Sequence, residues 1–186
     1  MTTSHLLPIL LLLIHGAPLR TPAPARVAPT SEGAQMKKLD FLLGKWAGTV
    51  YVEYVPGQRD TFTETETVQV KLGGLLITVE GTGKSKMPNG EEAVTHSAFA
   101  AVSYDQSASA YRWHAYNAAR GSVQYLATTA KVGTSTLEWG YRDRRAGSVQ
   151  FTIRTDQQGR WSETGELSHD GKTWHKFFAM TLRRIN

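Results

Sequence analysis

The sequence predicts an all-β protein, a single up-and-down antiparallel barrel of about ten strands with a short N-terminal plug helix. Three observations carry this. Segments of alternating apolar and polar residues, rich in Thr, Val, Tyr and Trp, recur along most of the chain, the pattern of half-buried strands. The breaks between them hold Pro-Gly, Asn-Gly, Gln-Gly and Asp-Gly pairs, which supply the positive φ that tight hairpins need. The links are too short for the crossovers that parallel neighbours require, so consecutive strands should pair antiparallel. A closed barrel also leaves no edge strand open to aggregation.

The helix comes first. Leu39, Leu42 and Leu43 fall at helical spacing within residues 36–43, and Gly44 ends the run. Strands are then expected at 45–55, 61–72, 75–84, 94–104, 110–117, 122–130, 135–141, 148–155, 160–167 and 173–185. All of these lie in one domain, residues 36–186, and 186 residues suffice for one sizeable core.

The segment ahead of this domain is different. The apolar run at residues 6–14 is far shorter than the ~20 residues that cross a bilayer as a helix. Residues 1–25 are therefore expected to be a signal peptide, cut near Ala25, and residues 26–35 a flexible leader. A periplasmic or secreted protein follows, with no stable membrane insertion after processing. The absence of cysteine excludes disulfides and an acylated cysteine anchor, so stability must come from the core and the strand ladders. The net charge of +5 is dispersed, with Arg142, Arg144, Arg145 and Arg183-Arg184 at strand ends, and lacks the aromatic-studded basic face of a nucleic-acid binder.

Side-chain parity names the candidate site. Trp46, Val50, Val52 and Tyr54 share one face of the first strand. On the second, Phe62, Val68, Val70 and Leu72 share parity with Glu64 and Glu66; on the fourth, Val94, Ala98, Ala100 and Val102 share it with His96. Glu163 joins Trp161, Gly165 and Leu167 on the ninth strand, Trp139 joins Leu137 and Tyr141 on the seventh, and Phe178 joins Met180 and Leu182 on the tenth. With Trp113, these give a candidate ligand-binding set of Trp46, Glu64, Glu66, His96, Trp113, Trp139, Glu163 and Phe178. An apolar cavity with a few convergent polar groups is how small-molecule sites are commonly built. A β-bulge between Phe62 and Val68 would instead turn both glutamates outward, and isolated tryptophans are by default core residues.

Other motifs dissolve on inspection. Gly81-Thr-Gly-Lys-Ser85 imitates the end of a phosphate-binding loop, but Thr78 stands where its first glycine belongs and no helix follows. Ser168-His-Asp-Gly-Lys-Thr-Trp174 imitates an aspartate box, yet is one residue short and reads as a hairpin turn at Asp170-Gly171. No histidine pair has metal-ligand spacing and no Gly-x-Ser-x-Gly elbow exists. The favoured function is therefore binding of a small hydrophobic or amphipathic molecule in the lumen. The rival is a cofactor-free isomerase, cyclase or hydratase in which an inward glutamate moves a proton and His96 orients it.

FLLGKWAG at 41–48 resembles the Gly-x-Trp start of lipocalin-like barrels. Taken with LGGLLITVEGTG, AVSYDQSASAYRW and SHDGKTWHKFFAMTL, in that order, the chain over 36–185 resembles the bacterial family called domain of unknown function 1579. That resemblance implies a calycin-like barrel and no particular activity. A more distant resemblance, to nitrobindin-type barrels, implies haem as a possible cofactor, with His175 as the matching C-terminal histidine. Its parity is opposite to Phe178, so it should face outward unless the strand register breaks.

Overall fold

A computed structural model describes residues 31–119, 122–144 and 147–185; the expected signal peptide lies outside the described residues. The helical segment starts earlier than expected and has two parts: α1 is Ser31–Met36, followed by a 3-10 helix over Lys37–Leu42. Ten strands follow: β1 Gly44–Val55, β2 Gln58–Lys71, β3 Leu76–Lys86, β4 Glu92–Asp105, β5 Ala110–Ala119, β6 Ser122–Val132, β7 Thr136–Asp143, β8 Gly147–Thr155, β9 Arg160–Ser168 and β10 His175–Ile185. Each pairs antiparallel with its chain neighbour, and β10 returns to β1 to close the barrel.

The helical segment seals the end where β1 begins. Met36, Leu39 and Leu42 join the buried core formed with Trp46, Val68, Ile77, Val102, Leu137, Ile153, Trp161 and Leu182. Polar ties fix it there: the Trp46 indole N–H donates to Leu42 O at 2.8 Å, the Tyr111 hydroxyl donates to Gln35 O at 2.9 Å, and the Arg184 guanidinium donates to the carbonyls of Phe41 and Leu43. Arg184 also lies over the Trp46 ring, 4.1 Å from its centroid. Trp46 thus joins plug to wall.

Inward parity holds through most of the barrel and fails where the strands bulge or end. No bulge interrupts β2 between Phe62 and Val68: Glu64 stands opposite Gly48 and Gly83, and Glu66 opposite Trp46 and Gly81. Leu72, expected inside, belongs to a 3-10 turn over Leu72–Gly74 and is exposed, as is Val70 beside it. Val94 is exposed beyond a register shift at Gly83/Lys84, and Tyr54 is exposed at the rim of the unplugged end. In β10 a shift between Lys176 and Phe178 buries Phe177 as well as Met180, and sets His175 opposite Leu167. The register shift lies between His175 and Phe178, and His175 is exposed on the rim, as its parity led one to expect.

One seam is short. Among the described residues β6 and β7 share three residue pairs, Ala130–Trp139 to Val132–Leu137, against at least eight at every other seam. Where that ladder stops, the Thr128 hydroxyl donates to Gly140 O at 2.7 Å.

Candidate functional site

The three glutamates singled out by parity enter the lumen. Glu64 and Glu163 are buried, and Glu66 is partly buried with its Oε2 shut off from solvent. On the β3 side, glycines stand opposite both Glu64 and Glu66. A methyl group placed on Gly81 would sit 2.8 Å from Glu66 Oε1 and 3.2 Å from Glu64 Oε1; one placed on Gly83 would sit 2.6 Å from Glu64 Oε2, 2.7 Å from Phe62 Cε2 and 2.8 Å from His96 Cβ. The two carboxyl groups are therefore neighbours that lie against the β3 backbone, and a side chain at either glycine would force them to shift. The Gly-Thr-Gly segment that imitates a phosphate loop is the cradle of the carboxyl cluster.

Burial without a counter-ion sets the charge state. An ionised carboxylate taken out of water without a partner is costly, so its pKa rises. Burial first, then the Glu163 charge, pushes Glu64 up to about 8. Burial, then Glu163 and Glu64, hold Glu66 well above the usual carboxylate range. Burial raises Glu163 to about 7. The Trp161 indole N–H opposes that rise, although its geometry falls short of a hydrogen bond. Among the described residues the ion pairs are Arg59–Glu53, Arg112–Asp105 and Arg160–Asp156, none of them involving the cluster. Next to Glu64, across Gly83, His96 is half-buried with its ring 6.0 Å from that of Phe62, and desolvation lowers its pKa.

An aromatic wall faces the cluster. Trp113 and Trp139 stack at 5.2 Å, Trp139 and Phe151 at 4.3 Å, and Phe151 meets Phe178 edge-on at 5.7 Å. Gly165 lets Phe151 and Phe178 close in, since a methyl group there would lie within 2.9 Å of both. The rings of Trp46 and Trp161 meet edge-on at 5.4 Å nearer the plug.

Seven buried side-chain nitrogen or oxygen atoms have no hydrogen-bond partner among the described residues. Six belong to this lumen: both oxygens of Glu64, Oε2 of Glu66, and the indole nitrogens of Trp113, Trp139 and Trp161; the seventh is the Thr78 hydroxyl. Unsatisfied buried polar atoms are uncommon in native proteins, and each costs about 1–3 kcal/mol. Their concentration at one place marks that place as the candidate site.

Of the sequence-derived set, Glu64, Glu66, Glu163, His96, Trp113, Trp139 and Phe178 line this lumen. Trp46 differs in spending its indole N–H on the plug. Sequence reasoning left out Phe62, Phe151 and Trp161 as site residues, although the parity of Phe62 and Trp161 places both inside. It also missed Phe177, which is inward because of the bulge. The signal for the carboxyl cradle was present in the inward parity of Gly81 and Gly83 beside two glutamates.

The barrel has a counterpart among solved structures. The crystal structure of Rv2717c from M. tuberculosis superposes with a TM-score of 0.56 at 16% identity, covering 81% of this chain and 97% of that one. The likeness is one of fold. It agrees with a calycin-like barrel. No family model matches the chain, so the resemblance to domain of unknown function 1579 rests on its motifs, and no curated protein matches it either.

Proposed function

We propose that this chain binds a small amphipathic molecule inside its barrel, with the apolar body against Trp113, Trp139, Phe151 and Phe178 and the polar group against Glu64, Glu66 and Glu163. The observation that carries this is the set of six orphaned polar atoms in a lumen otherwise lined by apolar side chains. A core built only for stability would be paired or apolar there, because a half-satisfied polar network is worse than none. A ligand bearing donors and acceptors satisfies these atoms when it binds.

Titration with N-phenyl-1-naphthylamine, a neutral aromatic amine that takes up energy from tryptophan, tests this. Saturable quenching of tryptophan emission at one probe per chain is expected, weakened at least tenfold in Trp139→Ala. Absence of saturable binding to the wild-type chain would sink the proposal.

A second function has one specific observation in its favour. Glu64 and Glu163 are raised to about 8 and about 7, which brackets neutral pH, where a group both gives and takes protons most efficiently. The same cluster then serves as general acid and base for proton transfer on a lipophilic substrate, with His96 beside Glu64. Conversion of a bound metabolite that survives unchanged in Glu64→Gln and Glu163→Gln would reject this role.

A further inference from the structure

Resting on the binding function just proposed, we infer that the lumen is built for positive charge: its ligand is a small organic ammonium compound with an apolar, aromatic-compatible body. Three carboxyl groups lie together on the inner face of the barrel, yet among the described residues no ion pair brings a lysine or arginine to them. The described residues form three ion pairs and all lie on the outer surface or rim; Lys and Arg are absent from the buried polar residues, which are Glu64, Thr78, Glu163 and Ser168. A second observation is independent of the cluster's composition. Glu64 is 2% exposed and neither of its oxygens has a hydrogen-bond partner among the described residues, so a buried acceptor pair is left open to a ligand.

Folding tolerates such a chamber by keeping protons on it. Among the described residues no ion pair brings a cationic side chain to the cluster, and an ammonium group would supply that charge. It places a fixed charge among several carboxylates and donates up to three hydrogen bonds to oxygens that have none. Two carboxyl groups lying against Gly81 and Gly83, with Glu163 close enough to raise both, give an ammonium more than one acceptor. The neighbouring Trp113, Trp139 and Phe151 rings add the aromatic surface on which organic cations rest. The protein as a whole argues against an incidental preference: its net charge of +5 repels cations at long range. Any selectivity for an amine must therefore arise inside the barrel.

Binding would proceed by exchange. The ammonium enters with its charge, a carboxyl group releases a proton to buffer, and the net charge of the chamber stays nearly constant. Uptake of the amine is then coupled to proton release, which a neutral ligand of the same shape does not cause.

The test uses the whole chain and a matched pair of probes, 1-naphthylmethylamine and 1-naphthylmethanol, titrated calorimetrically at pH 7 in two buffers of different ionisation enthalpy. The amine is expected to bind at least tenfold tighter than the alcohol and to release a fraction of a proton approaching one; the alcohol releases none. Glu64→Gln and Glu163→Gln, which keep shape and remove a titrating group, are each expected to bring the affinity ratio toward one. Should either variant fail to fold, the other and the wild-type proton count still decide. Equal or tighter binding of the alcohol, or amine binding without proton release, would overturn the inference while leaving the lumen a binding site. If neither probe binds, the binding function itself fails and the cation preference falls with it.

Discussion

Replacing Glu64 by glutamine should make the protein's stability much less sensitive to pH. In the folded chain the Glu64 carboxyl holds its proton until about pH 8, whereas the unfolded chain releases it near 4.5. Between those values the unfolded state has lost a proton that the folded state keeps, so stability is full below about 4.5, falls as pH rises, and levels off above about 8. At about 1.4 kcal/mol per pKa unit the whole interval amounts to roughly 5 kcal/mol, a ceiling that is a large share of a typical domain's ~5–15 kcal/mol. Glutamine has the same shape and no charge. At pH 5 the variant should lie within about 1 kcal/mol of wild type, because both side chains are neutral and equally buried. At pH 9 it should be more stable than wild type by roughly 2–5 kcal/mol. Urea unfolding followed by tryptophan emission at pH 5, 7 and 9 measures both. Parallel loss of stability in variant and wild type across that range would refute the placement of Glu64 as an unpaired buried acid.

Further outcomes follow from the same geometry. Glu163→Gln should flatten the stability curve over a narrower window, from about 4.5 to about 7, since its rise is smaller; an unchanged curve would place Glu163 in water. Gly83→Ala puts a methyl group 2.6 Å from Glu64 Oε2 and should cost about 1–3 kcal/mol in urea unfolding while displacing the carboxyl cluster; full stability would mean the cradle is loose. Trp46→Phe removes the indole donor to Leu42 and, like other losses of a buried hydrogen bond, should cost about 1–3 kcal/mol. Hydrogen exchange should be fastest, among strand peptides, in the part of β6 before Ala130 and the part of β7 after Trp139, where the ladder has ended; protection equal to that of β3 and β4 would show the seam to be closed.

The barrel was legible because its signal is repeated: ten alternating segments and the nine breaks between them constrain one another, and turn chemistry marks several of the reversals. The same parity placed Glu64, Glu66 and Glu163 correctly, since β2 and β9 run without a bulge through those residues. Parity failed at Val94 and Phe177, where one residue slips out of register and the side chains beyond it change face, whereas His175 is exposed as expected. Nothing in Lys176-Phe-Phe178 announces that slip, which sets the Phe177 ring against Phe151 and Tyr54. The role of Gly81 and Gly83 escaped for a different reason. A glycine leaves no hydrophobic signature, so the inward parity of Gly81 and Gly83 gained a meaning only once the carboxyl groups lying against them had positions. The charge state of the cluster depends on which groups are absent from the chamber, and a linear sequence does not show which residues share one.

Native mass spectrometry of the chain isolated from its own host tests the central claim most directly, because it reports the contents of the lumen without a choice of probe. The expected spectrum shows the chain carrying one small molecule of constant mass, retained by wild type and lost from Glu64→Gln and Trp139→Ala. A chain that always flies at its bare mass, and that also fails to take up the naphthyl probes, would contradict the claim that the buried glutamates and indoles of this barrel exist to hold a ligand.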